Sequence, residues 1–125
     1  MAGLYFTLPR ETGANRHPFV IISDPVAFPD DVVMSVNFTE ADPDKDLTCV
    51  VTPAECKYLS KVSCIFYEVP GIAPLALFRT FPLQARGVVS PQVLTRIREG
   101  MMDSDDAHRE HKDILIRQRL VAPRE

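Results

Sequence analysis

Short apolar runs separated by prolines and turn residues dominate the first two-thirds of the chain. Runs of four to eight residues rich in Val, Ile, Phe and Thr, bounded by such breakers, read as strands. The pattern predicts six: Leu4 to Leu8, Phe19 to Ser23, Val32 to Thr39, Leu47 to Thr52, Val62 to Val69 and Leu75 to Phe81. Pro9 to Pro18 reads as a polar loop, and Glu40 to Asp46 as an acidic one. Continuous apolar stretches such as Phe19-Val20-Ile21-Ile22 suit strands covered on both faces or curled into a barrel.

The character changes at Ser90-Pro91. Serine suits a helix N-cap and proline the first helical position. Val93, Leu94, Ile97 and Met101 then recur at helical spacing as one apolar stripe. A second helix is expected over Asp105 to Leu120, with an acidic start and a basic finish that complement the helix dipole. The expected architecture is therefore mainly β, a single domain with a barrel body over 1–89 and a C-terminal helical segment over 90–125.

A chain of 125 residues can bury about two-thirds of its unfolded surface, so it needs no covalent staples. The net charge of −3 argues against indiscriminate attraction to nucleic acid or anionic lipid, although a local basic groove is compatible with it. The three cysteines, Cys49, Cys56 and Cys64, form no CxxC pair and read as reduced thiols of a cytoplasmic protein. Met1 to Arg10 lacks a basic stretch followed by an apolar run, and no apolar stretch is long enough to span a bilayer, so no membrane association is expected.

Three segments carry a resemblance. Asn15-Arg16-His17-Pro18-Phe19-Val20-Ile21-Ile22-Ser23 is similar to the entry into the second strand of the PemK/MazF toxin family. Ser35-Val36-Asn37-Phe38-Thr39 resembles that family's third strand. Gly87-Val88-Val89-Ser90-Pro91 resembles the entry to its C-terminal helix. They occur in the family's order and cover roughly Leu4 to Met102, with the middle weakly matched. The resemblance implies a small SH3-like barrel of the PemK/MazF/CcdB type, a homodimer, a cognate antitoxin as partner, and metal-independent endoribonuclease activity on single-stranded RNA. No cofactor is implied. Thr39 matches the family's functional threonine. The family's loop arginine is displaced: His17 precedes Pro18, and the arginine is one residue earlier, at Arg16. Either catalysis has lapsed, or His17 has taken over proton transfer.

RNA cleavage without a metal needs a base for the 2′-hydroxyl proton, a cation or donor for the phosphorane, and an acid for the leaving oxygen. Imidazole suits proton transfer, because its unperturbed pKa lies near neutrality. Guanidinium suits phosphate, because its planar fork pairs with two oxygens. Arg16, His17 and Thr39 are thus the candidate catalytic set. Arg79 and Arg86 are candidates for an RNA groove, as is Tyr67 for base stacking alongside Tyr58 and Phe66. Each has a plainer reading, the arginines as a solvated strand face and the aromatics as core or interface.

Other chemistry is excluded or demoted. Asp42, Asp44 and Asp46 are spaced like the opening of an EF-hand, but Leu47 and Pro53 replace its glycine and glutamate. His108 and His111 share one helix face and read as solvated rather than metal-binding. All glycines are isolated, so no phosphate-cradling loop exists. The alternative to a nuclease is a non-catalytic barrel that binds a protein partner, with a CcdB-like topoisomerase-binding module as one version and the helical tail as a docking arm.

Overall fold

The computed structural model describes residues 1–8, 17–28 and 30–124. Its body is one curled, six-stranded antiparallel sheet, a half-barrel, with a few short helices. The strands are β1 (Leu4–Thr7), β2 (Phe19–Ile21), β3 (Val32–Glu40), β4 (Val50–Val51), β5 (Ser63–Pro74) and β6 (Gln84–Val88). The helices are α1 (Leu75–Phe78), α2 (Pro91–Asp103) and α3 (Arg109–Arg117). The spatial order of strands is β4-β5-β3-β2-β1-β6. Curling brings the segment joining β4 to β5 back towards the far edge. There the Arg86 guanidinium lies 5.0 Å from the Tyr58 ring centroid, and Tyr5 and Cys56 join the same core cluster.

Strand alternation sends side chains to two cores. Tyr5, Val20, Met34, Val36, Phe38, Ile65 and Tyr67 face the concave side, which is filled by Val93, Ile97 and Met101 of α2 and by Ile114 and Leu115 of α3. Phe6, Ile21, Val33 and Ala73 face the other side, covered at one end by Phe78 of α1. The helical stripe read from the sequence is thus the plug of the half-barrel. It starts as expected: the Ser90 Oγ accepts a hydrogen bond from Val93 N at 3.2 Å, and Pro91 occupies the first turn.

Four elements differ from the sequence reading. Leu75 to Phe81 is not a strand. It forms the single turn of α1 between Pro74 and Pro82, because Leu75 and Phe78, three residues apart, both reach the second core. The final strand is β6 instead. The predicted strand Leu47 to Thr52 shrinks to Val50–Val51, because the Asp46 carboxylate accepts from both the Thr48 amide and hydroxyl and makes a turn there. Pairing of β5 with β3 breaks between Phe66 and Gly71, a stretch that includes Pro70, which has no N–H to give, then resumes from Gly71 opposite Ser35 to Pro74 opposite Val32. A Cβ on Gly71 would stand 3.0 Å from Ser35 Oγ, so glycine allows that close approach. Finally, α3 begins only at Arg109, because the Ser104 hydroxyl takes the Asp106 amide and holds the preceding residues in a turn.

One ion pair ties the β4–β5 segment to α2. Both Glu55 oxygens accept from Arg96, at 2.7 and 2.8 Å. Hydrogen bonding to Arg96, helped by the Thr52 amide, holds the Glu55 carboxyl at about 2, below the ordinary carboxylate range. A depressed folded-state pKa contributes stability above the unfolded value, and that contribution fades as pH falls through the folded one. The thermal midpoint of the wild-type chain is therefore expected to drop between about pH 4.5 and pH 2. The same drop should be shallower in Glu55→Gln, as read by circular dichroism melts at stepped pH.

Candidate functional site

The site is assembled at the end of β3. The Phe38 amide donates to the Pro18 carbonyl at 2.9 Å, which fixes the entry to β2 beside the last residues of β3. His17, exposed, is thereby set next to Thr39, and both residues line the same two clefts. The first cleft, of about 540 Å³, is walled by Phe19, Asn37, Cys64 and Phe66 from the convex face of the sheet and by Lys45 and Asp46 from the β3–β4 loop. The second, of about 590 Å³, runs past Tyr58, Ser60, Lys61 and Ser63.

A residue missed by the sequence reading completes the site. Lys45 is turned back by a tight reversal in which its amide donates to Asp42 O at 2.9 Å. Its Nζ then donates to Thr39 Oγ1 at 2.9 Å and to Glu40 O at 2.8 Å. Since Thr39 accepts from Lys45, its own hydroxyl hydrogen remains as a donor. The signal was present: Lys45 is the one cation in the acidic loop that follows the Thr39 strand.

Carboxylates surround this cation. Asp44, Asp46 and Asp106 also line the first cleft, and Glu40 and Lys61 are paired at 3.5 Å by the second. Burial pushes the Asp46 carboxyl up, but hydrogen bonds from Ser104 and Thr48 outweigh it and hold the group below its usual range. Asp46 is therefore a fixed anion that pins the loop to the end of α2 rather than a proton carrier.

The other candidate residues separate. Arg16 lies outside the described residues. Tyr67 is a correction: it is 1% exposed, its hydroxyl donates to Ile97 O at 2.7 Å, and burial pushes its phenol far up. It cannot stack on an RNA base, because it fills the concave core. Arg79 follows α1, which packs near the start of β3, roughly 20 Å along the strand from Thr39 at 3.3 Å per residue. Arg86 is the extra residue where the β1–β6 register shifts, between Tyr5 opposite Gly87 and Phe6 opposite Ala85. The bulge aims its side chain so that Nε donates to Thr7 Oγ1 at 3.1 Å and the guanidinium covers Tyr58, on the border of the second cleft.

Cys49, Cys56 and Cys64 are buried free thiols, each pushed up chiefly by burial, so none is poised as a nucleophile. The His108 and His111 rings meet edge to face at 5.8 Å. Among the described residues no three His, Cys, Asp or Glu side chains gather to hold a metal, and no helix is long and apolar enough to cross a membrane. No family model, curated protein or solved structure matches the chain.

Proposed function

We propose that this chain is a toxin-like half-barrel of PemK/MazF type that cuts single-stranded RNA without a metal ion, at the junction of the two clefts. The observation that carries this reading is the convergence of His17, Thr39 and Lys45, three residues from separate segments, with Lys45 Nζ on Thr39 Oγ1. In this scheme His17 takes the proton from the 2′-hydroxyl. The 2′-oxygen bonds to phosphorus, the bond from phosphorus to the 5′-oxygen breaks, and that oxygen takes a proton from water. The Lys45 ammonium and the Thr39 hydroxyl stabilise the charge on the phosphorane. Lys45 thus supplies the positive charge that the displaced arginine was expected to bring. The partner would be an antitoxin covering the clefts, and the active form a cytoplasmic homodimer.

The test is incubation of the purified chain with mixed-sequence, single-stranded RNA in excess chelator. Discrete cuts ending in 2′,3′-cyclic phosphate are expected. Intact RNA removes the nuclease reading.

A second reading, a non-catalytic module that binds protein, is favoured by a different observation. Beyond the clefts, α1 and the residues after it expose Leu77 and Phe81, and the carboxylates beside Lys45 oppose a polyanion. Intact RNA would move the weight to this reading.

A further inference from the structure

The wall of the first cleft is an ordered row of side chains across three strands. Phe19 of β2 pairs directly with Asn37 of β3, and Asn37 pairs directly with Phe66 of β5. All three point to the convex face, two residues along the strands from the Thr39–Cys64 pair. An amide is thus held between two aromatic rings, beside the residues that would meet the phosphate.

Four features suit this row to a ligand rather than to packing alone. Phe66 is 36% exposed, large for an aromatic on the face of a central strand. Phe19 ends a train of rings: Phe81 on Phe78 at 5.4 Å, Phe78 on Phe6 at 5.8 Å, and Phe6 stacked on Phe19 at 5.7 Å and 18°. The train leads from the apolar end of the face into the cleft, where a further flat ring would extend it. The Asn37 amide is weakly engaged, since its Nδ2 makes a 3.4 Å contact to the Phe38 carbonyl. A cleft of about 540 Å³ is within the range that holds small ligands.

We infer that Phe19, Asn37 and Phe66 form a base-recognition subsite that selects adenine in single-stranded RNA, next to the phosphate held by Lys45 and Thr39. Aromatic faces stack on any base, so the rings supply affinity. The amide supplies choice: on the edge away from the Watson–Crick face adenine presents N6 and N7 as a donor and an acceptor, the complement of a carboxamide, where guanine presents two acceptors and a pyrimidine offers a smaller ring to stack on Phe19 and Phe66. The carboxylates fit this assignment, because a base is uncharged where a phosphate is not. Lys45 and the row line the same cleft, so the backbone would cross it at the cation and turn its base towards the rings. The inference rests on the RNA reading proposed above, and its test separates the two.

The measurement is equilibrium binding of 2′-O-methyl oligonucleotides, which cannot be cleaved through the 2′-oxygen. Four are compared, alike except for A, C, G or U at one central position in an abasic-flanked strand. The proteins are wild type, Phe66→Ala, Asn37→Ala and Lys45→Ala, each checked for an unchanged melting midpoint. Expected are tightest binding of the adenine strand, an about 5- to 150-fold loss of affinity for every strand in Phe66→Ala, and a loss of base ranking in Asn37→Ala. Any other base ranked first in wild type overturns the adenine assignment. Binding that weakens in Lys45→Ala but not in Phe66→Ala overturns the subsite and leaves the RNA reading standing. No binding of any strand overturns both.

Discussion

Gly100→Ala is expected to destabilise the fold by about 2–4 kcal/mol, although alanine is the better helix former by up to about 1 kcal/mol. Gly100 is on the buried face of α2, where the helix plugs the half-barrel. A Cβ there would overlap the Tyr67 hydroxyl, stand 3.2 Å from the Tyr67 ring carbon that bears it, and lie 3.0 Å from the Cys49 Cβ. Forcing the tyrosine aside would also break its bond to Ile97 O, worth about 1 kcal/mol. None of these neighbours is the free end of a flexible chain, so little of the overlap can relax. Urea unfolding of Gly100→Ala, Tyr67→Phe and the double variant gives the answer. Tyr67→Phe alone should cost about 1–2 kcal/mol, and Gly100→Ala should cost less in that background than in wild type. A neutral or stabilising Gly100→Ala would mean that α2 does not approach β5 this closely.

The same contact shows where sequence reading stops. The existence of β3 was legible, as one β-rich run from Val32 to Thr39. So was the start of α2, because a Ser-Pro cap is a local signal. Placing His17 beside Thr39 needed only the assumption that consecutive strands pair, which β2 and β3 do. Tyr67 was misread because strand parity tells which residues share a face but not which face a helix will cover. Leu75 to Phe78 was misread because four apolar residues fit one helical turn as well as a strand, and the choice is made by the second core beneath them. Lys45 depends on a chain reversal through Asp42, a backbone event with no hydrophobic periodicity to announce it. The site is therefore half local, in His17 and Thr39, and half tertiary, in Lys45 and the Phe19–Asn37–Phe66 row.

If the chain cleaves RNA as proposed, His17→Ala should lower the rate by about 10²- to 10⁴-fold, the usual worth of a positioned proton carrier. The fold should be untouched, since His17 is exposed and precedes β2 rather than belonging to it. Lys45→Ala should behave differently. It removes the ammonium from Thr39 Oγ1 and the Glu40 carbonyl, so it should cost about 10²- to 10³-fold in rate and also weaken binding of an uncleavable strand. Removing one phosphate contact should flatten the salt dependence of that binding by close to one ion, a change His17→Ala would not make. The pair of variants thus divides proton transfer from charge stabilisation by two independent readings, single-turnover rate and salt-dependent affinity. Full cleavage by His17→Ala would assign the proton step to another group. Losses of equal size in both variants, with binding unchanged in both, would mean that Lys45 acts only by positioning Thr39. In that case Lys45→Arg, which keeps a donor within reach of the threonine, should restore most of the rate.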